Sequence, residues 1–205
     1  NRLLILFLEL CCNIFQQIVS NKKNYKFLHM ETTNKSNSIN LGLYLGATLA
    51  AIVVLIYAID LDLMVEWWLS VALLTVVIAF GVVAAKRAKK NNAGLLSFKE
   101  AFVNYFLTIA VGTAISAVVG IVIFNVVDPE AAAHLNEQIL LKSKKMMEGF
   151  GMPQEAMATA LDEASKKDNF SIGSQLQSYV FSLALYAIIG LIVALIVKKI
   201  NTSEA

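Results

Sequence analysis

Met146, Met147, Met152 and Met157 fall within one short stretch, with His134 a few turns upstream. Thioether sulfur outside the cytoplasm is a soft ligand for Cu(I), so chemistry is sought here first. The close ligand pairing that holds such an ion is missing, and methionine is also an adaptable filler of apolar interfaces. His134 has neither a cysteine nor a second histidine as co-ligand. The expectation is packing, with no metal and no cofactor.

Lys86, Arg87, Lys89 and Lys90 form a second concentration, followed by Lys99. A nucleic-acid surface would set such cations among aromatic or groove-reading partners, and none is near, so no nucleic acid is expected. Binding of anionic lipid headgroups is a compatible minor role. The chain has no phosphate loop, no HExxH, no GxSxG with a triad and no paired intramembrane aspartates. Serines and threonines are plentiful, but no base accompanies them in the apolar stretches, so catalysis is not expected.

The elements around these residues decide the class. The chain is 205 residues long, 58% hydrophobic and 16% charged, with a mean hydropathy of +0.66. Soluble domains run nearer 45–50% apolar and about 25% charged. About 20 apolar residues at 1.5 Å each cross ~30 Å of hydrocarbon. Four stretches reach that length: 41–59, 67–85, 101–127 and about 176–197. Strand-like alternation is absent, and helices satisfy their own backbones in lipid. The fold expected is all-α, an integral membrane four-helix bundle.

Charge then orients the bundle. The cations from Lys86 to Lys99 share one short loop, whereas Asp60, Asp62 and Glu66 occupy another that holds no cation. Positive residues stay on the cytoplasmic side, so the first loop is placed outside and both termini inside the cell. Lys35, Lys198 and Lys199 agree, while Lys166 and Lys167 stand on the other side among acids. Trp67 and Trp68, with Tyr57, suit an aromatic belt at the outer interface. The expected location is the inner membrane.

No Asp, Glu, Lys, Arg or His occupies the apolar centres of these spans, which argues against proton- or ion-coupled pumping. They do carry small and polar residues four apart. The first span has Gly42, Gly46 and Ala50; the third has Asn104, Thr108, Gly112, Ser116 and Gly120. The fourth has Ser174, Ser178, Ser182, Tyr186, Gly190 and Ala194. Such stripes are expected to be helix-packing faces, within the chain or in a homo-oligomer. A hydroxyl-lined ligand path between the third and fourth spans is the sharper alternative.

Residues 128–170 read as an extracytoplasmic amphipathic helical hairpin. Asp128 suits an N-cap and Pro129 the first helical position. Leu135, Ile139, Met146 and Phe150 then share a face, and Gly149 with Gly151 ends the helix. A second helix starts at Pro153, with Met157, Ala160, Leu161 and Ala164 as its apolar stripe. Faces of this kind must pack on each other, on the bilayer, or on a membrane or periplasmic protein partner.

Residues 1–29 differ from the rest, lacking Ala, Gly, Pro, Asp and Thr. They are read as mistranslated upstream sequence, with Met30 as the start. A signal peptide lacks a long apolar run and cleavage site there, and a fifth span would contain Glu9, Asn13, Gln16 and Gln17. Without them Arg2, Lys22, Lys23 and Lys26 go, against Glu9, and the chain becomes about neutral. Cys11 and Cys12 also belong to this segment. The organisation expected is therefore leader 1–29, cytoplasmic 30–40, spans one to three within 41–127, hairpin 128–170, and span four with its tail in 171–205.

The basic stop is followed by "LLSFKEAF" (Leu95 to Phe102), the third span ends in "VVDPE" (Val126 to Glu130), and "GMPQEAMATA" (Gly151 to Ala160) precedes a last span closing on lysines. In this order the pattern resembles the bacterial membrane family known as domain of unknown function 4199, widespread in Bacteroidota. The resemblance runs from about Ser38 to Lys199. It implies a small inner-membrane protein starting near Met30 and no particular activity. The function expected is a non-enzymatic adaptor of the bacterial envelope, with a channel or carrier component as the alternative.

Overall fold

The structure is a computed structural model that describes residues 25–199, with side chains from residue 34. The leader reading of residues 1–29 therefore lies outside the described side chains. Residues 34–199 form one compact unit, while of residues 1–33 the backbone from Tyr25 onward is helical. Six helices follow in order: α1 Tyr25–Ile59, α2 Trp67–Asn91, α3 Phe98–Val122, α4 Pro129–Gly149, α5 Gln154–Ser165 and α6 Ile172–Val197. A 3-10 turn, Leu61–Val65, joins α1 to α2, and a π-helical turn, Ile123–Val127, extends α3. The described residues contain no strand.

Among the described residues, four helices are long and apolar enough to cross a membrane: Asn34–Ile59, Trp67–Asn91, Phe98–Val127 and Ile172–Val197. Each overruns the limits that hydropathy marks at one end. Hydropathy finds the apolar centre, whereas the helix continues until a cap satisfies its last backbone groups. Ser97 supplies such a cap for α3. Its hydroxyl accepts from the Glu100 N–H at 3.2 Å while its own N–H donates to the Glu100 carboxylate at 3.0 Å.

α3 is the hub of the bundle. Its apolar residues are spread around the helix, which lets it pack against α1, α2 and α6. Small residues let its neighbours approach. A Cβ on Gly42 of α1 would stand 2.9 Å from the Thr108 carbonyl oxygen, and one on Gly46 2.6 Å from Ile115. From the other side, a Cβ on Gly112 would stand 2.6 Å from Leu45. Gly81 of α2 and Gly190 of α6 press on opposite edges of the Tyr105 ring, where added Cβ atoms would fall at 2.6 and 2.8 Å. Without a hydrophobic drive between helices in lipid, close packing of this kind holds a bundle.

In α3 the four-residue stripe is buried from Asn104 to Gly112 and half-buried at Ser116 and Gly120, and along α6 it is not continuous. Ser178 is exposed, whereas Gly190, Val193, Ala194 and Val197 are buried. Four residues turn a helix by about 400°, so each step drifts ~40° and five steps move to the opposite side. The buried face mixes steps of three and four instead.

Candidate functional site at the two polar ends of the bundle

At the basic end, polar side chains are buried between α1, α2 and α3. Asn34 donates from Nδ2 to Asn92 Oδ1 at 2.8 Å and accepts from Asn91 Nδ2 at 3.0 Å. One turn on, Ser38 donates to Asn104 Oδ1 at 2.6 Å. Thr108 donates to the carbonyls of Ser38 and Asn104, each at 3.0 Å. Burial without partners would be costly, and these groups answer one another. The ladder therefore sets the register of α1 on α3 and opens no polar route.

The chain after α6 is tied to the same end. Leu96 and Lys199 exchange two backbone hydrogen bonds of 2.9 Å, and Lys89 Nζ donates to the Val197 carbonyl at 2.8 Å. A cation on the last carbonyls of a helix satisfies both an orphan acceptor and the dipole. Lys86, Arg87 and Lys90 stay exposed. Deeper in the bundle, the Tyr105 hydroxyl is the one buried side-chain polar atom among the described residues without a hydrogen-bond partner.

At the acidic end, α4 lies against the α1–α2 loop. The π turn ends with the Asp128 N–H donating to the Ile123 carbonyl at 2.8 Å. Asp128 then caps α4, accepting from the Ala131 N–H at 3.0 Å, and also accepts from the Tyr57 hydroxyl at 2.9 Å. These two bonds hold its carboxyl below the usual carboxylate range. His134 Nε2 stands 2.8 Å from Asp62, and Lys142 Nζ 2.6 Å from Glu66 and 3.3 Å from the Val65 carbonyl. Below them Ile123, Phe124, Ala131, Ala132 and Leu135 form a small core with Tyr57, Leu61 and Phe170.

α5 packs on α4 from its other side. Its half-buried residues are Met157, Ala160, Leu161 and Ala164. Between the two helices runs an open, apolar-lined groove of about 340 Å³, bounded by Glu137, Leu140, Leu141 and Lys144 on α4 and by Leu161 and Asp162 on α5. The return to α6 is pinned by Asn136, whose amide donates to Asp168 at 2.9 Å and accepts from the Asn169 N–H at 3.1 Å. The Asn136 amide and the Phe170 N–H hold the Asp168 carboxyl low as well.

Of the residues singled out in the sequence, Gly42, Gly46 and Gly112 meet at the α1–α3 contact, and Gly190 meets Tyr105. Gly120 faces only the end of Gln175, at 3.1 Å. Ser116 is half-buried, and Ser182 donates to the Tyr179 carbonyl of its own helix at 2.8 Å. Trp67 and Trp68 are exposed at the start of α2. Tyr57, also read as a belt residue, donates its hydroxyl to Asp128. Met146 and Met152 are exposed and Met157 half-buried. Sequence reasoning missed the pairings of Tyr57, Asp62 and Glu66 with α4, because nothing local links residues so far apart. It also missed Asn34, Asn91 and Asn92, although an amide at each end of an apolar run was a signal.

The arrangement offers docking surfaces and internal ties; among the described residues no cluster of three or more His, Cys, Asp or Glu could hold a metal. No curated protein and no solved structure matches the chain. A family model described as protein of unknown function (DUF4199) does match, over residues 40–199, and the chain belongs to that family.

Proposed function

We propose that this chain is a non-enzymatic, multi-pass adaptor of the bacterial inner membrane, with both termini in the cytoplasm. The observation that carries the reading is the apolar groove between α4 and α5, on the side of α4 turned away from the bundle. A closed bundle supports it: the α1–α3 seam has no room for an added methyl, and its polar groups are mutually bonded. The excess of Lys and Arg around Lys86–Lys90, against the acidic loop Asp60–Glu66, supports the orientation. The groove then faces the periplasm, where a membrane or periplasmic protein reaches it.

In-cell photocrosslinking from Leu141 and Asp162, with the adducts identified by mass spectrometry, tests this. One foreign protein, lost when Leu161→Asp is introduced, is the expected result. Adducts only to the chain itself would replace the adaptor with a homo-oligomer. The alternative, a channel or carrier component, is favoured by one observation, the unpartnered Tyr105 hydroxyl between α2, α3 and α6. Solute flux through reconstituted protein, abolished by Tyr105→Phe, would establish it.

A further inference from the structure

α4 does not stand up from the bundle. Its contacts follow the α1–α2 loop in order: Asp128 with Tyr57, His134 with Asp62, Lys142 with Val65 and Glu66. The loop leaves one span at Ile59 and enters the next at Trp67. A helix held along it for about 20 Å therefore lies across the ends of the spans. Beyond Lys142, α4 continues for about 10 Å to Gly149, past the start of α2.

The face presented by that overhang follows from helical geometry. Met146 comes about three whole turns after Leu135, and Phe150 about five after Ala132, at 3.6 residues each. Leu135 is 0% and Ala132 8% exposed, pressed onto the bundle. The same face, once past the bundle, shows Met146 at 59% and Phe150 at 82% exposure. It looks toward the plane from which the exposed Trp67 and Trp68 begin α2. α5 covers the opposite side of α4, where Leu140 and Leu141 line the groove. Lys145 flanks the apolar overhang and is exposed, as a side chain reaching for headgroups must be.

We infer that the end of α4 and its turn, through Met146 and Phe150, rest in the lipid interface of the same membrane, beside Trp67 and Trp68. The occupant is the bilayer, because the overhanging face continues a docking face directed at the membrane end of the bundle and adjoins a lipid-facing span. Methionine and phenylalanine flanked by lysine are the residue types of an interfacial helix. The inference rests on the membrane-spanning reading of the four helices.

The test places a nitroxide singly at Met146, Phe150, Glu155 and Leu191, in a Cys11→Ser, Cys12→Ser background. The full chain is reconstituted in phosphatidylethanolamine–phosphatidylglycerol vesicles. Collisional access to oxygen, which concentrates in hydrocarbon, is compared with access to a water-soluble nickel chelate. Positions 146 and 150 should lose nickel access and gain oxygen access, ranking with Leu191 and apart from Glu155. Nickel access at 150 equal to that at 155 would show the turn in water and overturn the inference. Protection from both reagents would mean a protein covers it, a second copy or a partner, and overturns it equally. If Leu191 itself met nickel freely, the spanning reading would have failed and the inference with it.

Discussion

Tyr105 and its neighbours show how little freedom single side chains have in this bundle. Its ring fills the space left by Gly81 and Gly190, so Gly81→Ala must displace an aromatic edge. Overpacking of this kind typically costs about 1–3 kcal/mol, and a lowered thermal midpoint in detergent is the expected reading. Gly112→Ala should behave alike, because the Leu45 Cβ lies 2.9 Å from the new methyl and belongs to a packed helix. Gly120→Ala meets only the Gln175 amide oxygen, at 3.1 Å, and should be better tolerated. Equal losses at 112 and 120 would contradict the geometry. Tyr105→Phe removes a hydroxyl without a partner and should leave stability unchanged or raised, since an unsatisfied buried group typically costs about 1–3 kcal/mol. A clear loss would show that the hydroxyl is engaged.

Among the elements, α4 is held in place by ionised groups at several points. The folded carboxyls of Asp128 and Asp168 titrate below their unfolded range. Their contribution is present above the unfolded pKa and disappears as pH falls through the folded one. The thermal midpoint is therefore expected to decline between about pH 5 and pH 2, with a shallower decline in Asp128→Ala. An unchanged slope in that variant would separate Asp128 from the transition. Lys142→Met removes the last tie between α4 and the loop, and faster hydrogen exchange in Gly149–Ser165 is the expected consequence. Exchange unaltered there would mean that α5 and the turn are held by other contacts.

For the whole molecule, the four spans were legible because hydropathy is a local property that needs no partner. So were Asp128 as a cap and Pro129 as an opening residue, since the signal and the element are adjacent in the chain. The layer above the bundle was legible as two helices and illegible as a docked pair. Its place depends on Tyr57, Asp62 and Glu66 meeting residues more than seventy positions away. On α6 the four-residue rule places Gly190 and Ala194 on the buried face and Ser178 off it, because such a rule accumulates drift over a long helix. On the proposed topology, reversing Lys86, Arg87 and Lys90 to Glu should scramble orientation, and a C-terminal reporter that matures only in the cytoplasm should lose signal. Lys89 is spared because it caps α6. Undiminished signal would place the orienting charge elsewhere.

The π turn at Ile123–Val127 bears on how this chain can change over generations. A π turn holds one residue more than an α-helical turn needs, so losing a single codon there would leave a regular helix and rotate everything beyond it by about 100°. Asp128 would swing away from Tyr57, and the whole outer layer would face a new direction. Substitutions can accumulate across that turn one at a time, but its length is inherited as a unit.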